Sequence, residues 1–439
     1  MDQERFKIPL YLPAQGAAET EATIIEWSVA EGGRFRKGDV LGQVDSAKSV
    51  FDFEAPCDGQ VIRLFHFEGE TVSLCEPVME IETSDPAMEN WIPPAASREE
   101  SSVRQSAIAT PSAPEADGEA IGILGIGGYL PPRLVSNAEL VADFPDISEQ
   151  YVYQVTGIRQ RHWADDDEKP SNMAFKASLE AIRESEIATK EIDAIIVATT
   201  TPDMAMPSTA CILQDRLCLR SIPAFDLNAA CSGWLYAVSM AQGMIRSGIA
   251  RNVLTVGVDM QSRLLDPSDY SAYFIFGDGA GAAIVSATAP GHRIRQVVLG
   301  ADPKGILMAR RQSPGYLVPN GQNHFDPWIR LDGHALFRLA AESFSSLIRD
   351  VIAKTGWTPE QTRWVVPHQA NRRILKAAAK RSGVPFERFF LNVDHVGNTS
   401  SASIPLALVE AKPVLAAGDK LILCSVGAGM TTAAISLEW

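Results

Sequence analysis

Between residues 225 and 234 the chain reads Phe225-Asp226-Leu227-Asn228-Ala229-Ala230-Cys231-Ser232-Gly233-Trp234. A strand ends in small residues, and Cys231 then opens an apolar helix expected over residues 232–245. A cysteine at a helix N-terminus faces the positive end of the macrodipole and N–H groups that no helical carbonyl satisfies. Both favour thiolate, the nucleophilic form. Most lone cysteines simply pack in a core. Here Ala229, Ala230, Ser232 and Gly233 flank the thiol with small side chains, which favours close approach of a ligand instead.

Outward from this segment, strands and helices alternate. Ile192-Asp193-Ala194-Ile195-Ile196-Val197-Ala198 reads as a buried strand upstream, and Asn252-Val253-Leu254-Thr255-Val256-Gly257-Val258 as another downstream. The alternation repeats after about residue 295 and ends in the expected last strand, Lys420-Leu421-Ile422-Leu423-Cys424. From Ile121 onward this predicts an α/β core whose sheets are covered by helices.

Two later segments supply partners for the thiol. Val365-Val366-Pro367-His368-Gln369-Ala370-Asn371 places His368 just after a strand, and Asn398 falls in a turn before a helix. A decarboxylative condensation needs such a set: a thiolate to take up an acyl group, and two hydrogen-bond donors for the enolate formed when a malonyl thioester loses CO2. The N–H groups of Cys231 and of Ala428, in Gly427-Ala428-Gly429, are the expected donors to the acyl-enzyme oxyanion. Other features take plainer readings. His395 is structural, Asp165-Asp166-Asp167-Glu168 is a solvated loop, the glycine-rich stretch at 125–128 is a strand-turn, and that at 277–281 leads into a strand, neither with a nucleotide-binding context.

Over about residues 119–439 the chain closely resembles ketoacyl-acyl carrier protein synthase III of the thiolase superfamily. The motifs that carry this are "TGIRQRH", "TTTPD", "NAACSG", "FGDGAGAA", "HQANRRI" and "GNTSSASIP". The resemblance implies a five-layered α/β/α/β/α fold with an internal duplication across 119–290 and 291–439, a homodimer, and a Cys-His-Asn triad on Cys231, His368 and Asn398. It implies that Met206, in the "TPDxAxP" loop, floors the partner's acyl pocket with room for branched or medium acyl groups. It also implies that Arg373, with Arg372 and Lys376, meets an acidic acyl carrier protein.

The first 84 residues differ in kind. Short strands such as Thr23-Ile24-Ile25-Glu26-Trp27 recur, and Glu31-Gly32-Gly33 followed by Lys37-Gly38-Asp39-Val40-Leu41 is echoed by Glu68-Gly69-Glu70 followed by Glu76-Pro77-Val78-Met79. Two such copies predict two small facing sheets related by a pseudo-two-fold. Val44-Asp45-Ser46-Ala47-Lys48-Ser49-Val50 sets a lysine between two strands, an exposed place suited to attachment of a swinging cofactor. Through "EGGRFRKGDVL", "VDSAKSVFDFEAPCDGQV" and "EGETV" the region resembles lipoyl domains of 2-oxo acid dehydrogenase acyltransferases. That implies an all-β flattened sandwich with a lipoyl group on Lys48, placed there by a lipoate-attaching enzyme. Ala47 stands where the family usually has Asp; biotinyl domains normally flank the lysine with Met, which Ala47 and Ser49 are not. Residues 85–118, rich in Pro, Ala, Ser and Glu, read as a mobile linker, with Trp91 and Ile92 as candidate docking residues.

The resemblance also has gaps. Relatives that take coenzyme A thioesters hold the nucleotide with a Trp and two Arg; in register this chain has Tyr151, Val155 and Tyr270. Losing two guanidinium groups removes charge-assisted phosphate contacts, so a coenzyme A thioester is expected to be a poor donor. An acyl-dihydrolipoyl thioester on Lys48, charged by a 2-oxo acid dehydrogenase component, is the expected alternative. A linker of about 35 residues spans roughly 30–35 Å and supplies effective concentration in place of affinity.

Composition agrees. A net charge of −15 argues against nucleic acid and against a polybasic membrane anchor. The start lacks a signal-peptide pattern, no apolar run is long enough to span a bilayer, and six scattered cysteines without metal-ligand spacing suit a reducing cytoplasm and no metal. Two other functions fit less well: acyl transfer to oxygen, nitrogen or sulfur without decarboxylation, and a non-catalytic carrier or scaffold subunit.

Overall fold

Alternating burial builds the N-terminal part of the chain. In the strand Met79–Thr83, Met79, Ile81 and Thr83 are buried while Glu80 and Glu82 are not, the period-two pattern of a half-buried strand. The computed structural model describes residues 5–13, 21–46, 50–74, 76–88, 120–142, 144–287, 292–312 and 326–439, and the chain divides into two compact units, Met1–Gly118 and Glu119–Trp439.

The first unit holds two four-stranded sheets. One runs Phe6–Leu10, Met79–Thr83, Gly59–Leu64, Arg34–Phe35; the other runs Val50–Glu54, Val40–Ser46, Glu21–Trp27, Thr71–Ser73. Their inner faces bury Ile24, Leu41, Val44, Val61, Val78 and Ile81 completely, at about 1.5–3 kcal/mol of favourable transfer for each side chain. The pseudo-two-fold is visible in hydrogen bonds: Gly32 N donates to Val61 O at 2.8 Å, and Gly69 N donates to Ile24 O at 2.7 Å. Both glycines have φ above +80°, which is why the repeated turn needs them. The strands Val40–Ser46 and Val50–Glu54 pair with Asp45 opposite Val50, so Lys48 falls in their connection and itself lies outside the described residues. Pro86–Met88 forms a single 3-10 turn that buries Met88 in this core, so order runs past residue 84. The rest of the expected linker, with Trp91 and Ile92, lies outside the described residues.

The second unit is built on a nine-stranded sheet made of two related halves. The first half orders Ala224–Leu227, Ala194–Ala198, Asn252–Met260, Asp278–Ser286, Gly122–Tyr129; a single pair, Arg293 with Gly122, joins it to Arg293–Ala301, Thr431–Glu438, Lys420–Val426, Trp364–Pro367. In each half a parallel pair is followed by two antiparallel neighbours. The helices Gly233–Arg246 and Ser403–Ala411 share one core with strands of both halves. Pro170–Ser185 and Thr209–Arg216 pack on the far side of the first half, and Gly333–Thr355 and Arg372–Ser382 on the far side of the second. This is a thiolase-like α/β/α/β/α stack.

Two expectations need correcting. Lys420–Val426 is not the last strand: after a turn at 427–430 the chain returns as Thr431–Glu438, paired on both sides. Its small residues, Thr431-Thr432-Ala433-Ala434, hid a central strand behind glycine punctuation. Glu168 is also no solvated residue. It is buried, accepting from Lys176 Nζ at 2.6 Å and from the Tyr129 hydroxyl at 3.2 Å.

Candidate active site

Cys231 lies not in the α-helix but in the 3-10 turn Ala230–Ser232 that leads into Gly233–Arg246. The turn is held from three sides. Ala230 N donates to Asn228 Oδ1 at 3.1 Å, the Ser425 hydroxyl donates to Cys231 O at 2.9 Å, and the Ser232 hydroxyl donates to Thr431 O at 3.1 Å. Ala230 has φ 48°, a left-handed conformation that costs a residue with a Cβ. Burial dominates the thiol and pushes its pKa up to about 12, against the pull of the Ser400 hydroxyl. Desolvation, which disfavours the charged form, opposes the pull of the helix terminus towards thiolate.

Asn398 and the residues after it reach the same place. The Ser400 hydroxyl lies 3.7 Å from Cys231 Sγ. Asn398 is buried, its Oδ1 accepts from Ser400 N at 2.9 Å, and no acceptor among the described residues meets its Nδ2. That bond fixes which end of the amide is left to donate.

His368 follows the strand Trp364–Pro367, its N–H bonded to Cys424 O at 2.8 Å. The next residue, Gln369, is buried and fully bonded. Its N–H takes Ser403 Oγ at 2.7 Å, its Nε2 reaches Pro367 O and Phe390 O, and its Oε1 accepts from Asn392 N and Val393 N. Gln369 thus ties the histidine segment to the helix that begins after Ser400. The His368 ring is buried without a hydrogen-bond partner among the described residues, and burial pushes its pKa down to about 3. A neutral imidazole with unspent nitrogens suits a ligand donor.

Ala428 lies in the turn after Val426. A Cβ at the preceding Gly427 would come within 2.9 Å of Cys231 N and 3.0 Å of Ser232 N, so glycine lets this turn close on the nucleophile's backbone. Sequence reasoning missed Gln369, Ser400 and Asp259. Asp259 is fully buried: Oδ1 accepts from Thr200 N and Oγ1 at 2.8 Å each, and Oδ2 from Ser401 N at 3.0 Å and Ser401 Oγ at 2.7 Å. It joins the "TTTPD" loop to the "GNTSS" loop. An aspartate near the end of a largely apolar strand, Asn252–Met260, was the available signal.

The other candidates are peripheral. Arg372, Arg373 and Lys376 are exposed on the helix Arg372–Ser382; Arg372 Nη1 reaches the Tyr153 hydroxyl at 3.2 Å, and Arg373 stacks over Phe337. Met206 is 81% exposed. Tyr151 and Tyr270 are exposed, and the carbonyl of half-buried Val155 accepts from Asn371 Nδ2 at 3.0 Å. His395 bridges Asp394 and Glu410, which hold its pKa up to about 10. No group of side chains suited to a metal occurs among the described residues, and no helix there is long and apolar enough to cross a membrane.

Known proteins share this architecture. Residues 225–303 match the family described as 3-oxoacyl-[acyl-carrier-protein] synthase III, 352–439 its C-terminal part, and 9–81 the family described as biotin-requiring enzyme. The β-ketoacyl-[acyl-carrier-protein] synthase III of Neisseria gonorrhoeae is 40% identical over 329 residues, covering 72% of this chain and 98% of that protein. The solved synthase III of Thermus thermophilus is 41% identical with a TM-score of 0.69, covering 72% of this chain and 99% of its own. That of Aquifex aeolicus is 37% identical with a TM-score of 0.68, covering 73% and 100%. The chain therefore belongs to the β-ketoacyl-[acyl-carrier-protein] synthase III family of acyl-transferring condensing enzymes, with a biotin/lipoyl-type domain ahead of the thiolase-like fold.

Proposed function

We propose that this enzyme makes a β-ketoacyl thioester by decarboxylative Claisen condensation, with Cys231, His368 and Asn398 as the catalytic set. Cys231 Sγ attacks the donor's acyl carbonyl, its proton leaves with the departing thiol, and the N–H groups of Cys231 and Ala428 hold the oxyanion. A malonyl group on an acyl carrier protein then loses CO2. The electron pair of the broken C–C bond forms an enolate whose oxygen is held by His368 and Asn398. Its carbon attacks the acyl-Cys231 carbonyl, and Cys231 leaves as the thiolate. The observation that carries this reading is the 3.7 Å approach of the Ser400 hydroxyl to Cys231 Sγ, with Ser400 N in turn bonded to Asn398 Oδ1. The test is intact mass and CO2 release. Acyl donor should add its mass at Cys231, and malonyl-carrier should discharge it with one CO2. Discharge without CO2 would mean simple acyl transfer.

Around this core, Arg372, Arg373 and Lys376 receive the acidic carrier protein, a local basic edge on a chain of net charge −15. Exposed Met206 floors the acyl pocket of a second copy in a homodimer. Residues 119–290 and 291–439 are the two halves of the catalytic domain, 1–84 a carrier domain and 85–118 its tether.

The biotin/lipoyl-type domain offers Lys48 for amide attachment, and the hairpin that closes on it fits that role. Ala47 and Ser49 favour lipoyl over biotinyl. A lipoyl group, when bound, would supply a disulfide that is reduced as the 2-oxo acid is oxidatively decarboxylated, leaving the acyl group as a thioester on one sulfur and a free thiol on the other. Cys231 receives that acyl group, and the altered positions Tyr151, Val155 and Tyr270 accord with little reliance on coenzyme A. Lys48→Arg should stop acylation of Cys231 by a 2-oxo acid and its dehydrogenase component. A truncated chain beginning at Glu119 that condenses acyl-coenzyme A as fast as the full chain uses its best donor would end this route.

A further inference from the structure

Arg311 is half-buried and has little to hold it. Its Nη2 donates to Thr200 O at 2.9 Å, and among the described residues no carboxylate forms an ion pair with it. Asp326, on the following segment, is committed to Arg330. A guanidinium carries five N–H donors in a fixed fork, so most of this one's are unspent among the described residues. Burial lowers its pKa, and the acid whose charge offsets this is Asp259. The Asp259 oxygens are already taken by Thr200 and Ser401. A partly desolvated cation with free donors is a poor structural clamp and a good seat for an anion.

Its place says which anion. Arg311 binds the carbonyl of Thr200 in the Thr199-Thr200-Thr201 loop. Asp259 binds the hydroxyl of the same residue and also grips Ser401, and the Ser400 hydroxyl lies 3.7 Å from Cys231 Sγ. The free guanidinium thus stands in the same knot of loops as the nucleophile, at the root of the loop that leads to Met206.

We infer that Arg311 selects acyl groups that end in a carboxylate, pairing with that distal carboxylate while Cys231 holds the thioester carbonyl. This rests on the reading of Cys231 as the nucleophile. The probes are the N-acetylcysteamine thioesters of glutarate and pentanoate, which share a chain length and differ in a terminal carboxylate against a methyl group. They are given to the full chain, and acyl-Cys231 formation is followed by intact mass. The glutaryl probe should react faster by about ten- to a hundredfold, the worth of a charge-assisted contact. Arg311→Met should reverse that ratio, and Arg311→Lys should give a value between. A wild-type preference for pentanoyl, or a ratio that Arg311→Met leaves unchanged, overturns the inference while leaving Cys231 as nucleophile. Acylation by neither probe, or acylation that survives in Cys231→Ala, overturns the nucleophile reading and this inference with it.

Discussion

At residues 228–232 and 398–402 the backbone does the same thing twice. Asn228 Oδ1 accepts from Ala230 N at 3.1 Å, and Asn398 Oδ1 accepts from Ser400 N at 2.9 Å. Ala230 and Ser400 both take positive φ, 48° and 51°. Ser232 N bonds to Ala229 O, and Ala402 N to Thr399 O, each at 3.1 Å. Each 3-10 turn then runs into a central helix. The side chains differ. Three residues after its asparagine, the first turn presents Cys231, whose thiol meets the Ser400 hydroxyl at 3.7 Å. The second presents Ser401, whose hydroxyl and N–H are both spent on Asp259. The asparagines differ in the opposite sense: Asn398 is buried, while Asn228 is exposed. Duplication supplied two equivalent seats. On the proposed mechanism the first half uses the cysteine position for chemistry and the second the asparagine position, which leaves the other seats to structure.

The largest break of this comparison would come from the paired seats themselves. Cys231→Ala should abolish covalent acylation by intact mass, whereas Ser401→Ala should still acquire the acyl group at Cys231. Loss of acylation in both would mean that the second turn is not merely structural. Next, His368→Ala and Asn398→Ala should each cut CO2 release by about 10²- to 10³-fold, the cost of removing one preorganised donor, while acyl-Cys231 still forms. Asn228→Ala, the mirror change, should leave decarboxylation within a few-fold of wild type. An equal loss there would erase the division of labour. Smaller again is the structural seat: Ser401→Ala leaves part of the Asp259 carboxylate unsatisfied and should cost about 1–3 kcal/mol of stability by denaturant unfolding.

Much of this was legible in the residues. The strands around Ala194 and Asn252 and the glycine repeat of the first unit follow from local pattern and turn chemistry. What escaped depends on distant pairing. Thr431–Glu438 has too little apolar bulk to announce a central strand. The shared spacing of Asn228 to Cys231 and Asn398 to Ser401 is in the sequence, yet it means something only once both turns lie against each other. The opposing pull of desolvation on the thiol escaped because a helix end is a local feature and desolvation is not.

That last point gives the smallest and most specific effect. Cys231 and His368 are both held neutral by burial, the thiol with its pKa pushed up to about 12 and the imidazole with its pKa pushed down to about 3. In the unfolded chain His368 takes a proton near the usual 6.5. Between pH 6.5 and 3 the unfolded state therefore binds one more proton than the native state does at this residue. The stability that goes with the neutral ring is fully present above pH 6.5 and is lost as pH falls towards 3. One pH unit below 6.5 the loss is about 1.4 kcal/mol. Asn398 and Asn228 carry no titrating proton, so neither mirrored seat contributes to this slope. His368→Gln removes the titrating group, and its stability should fall less steeply with acid by about that amount per pH unit. Urea unfolding of both proteins between pH 7 and 4.5 measures the difference. Parallel curves would mean that His368 accepts a proton in the native state, so that burial does not hold its ring neutral.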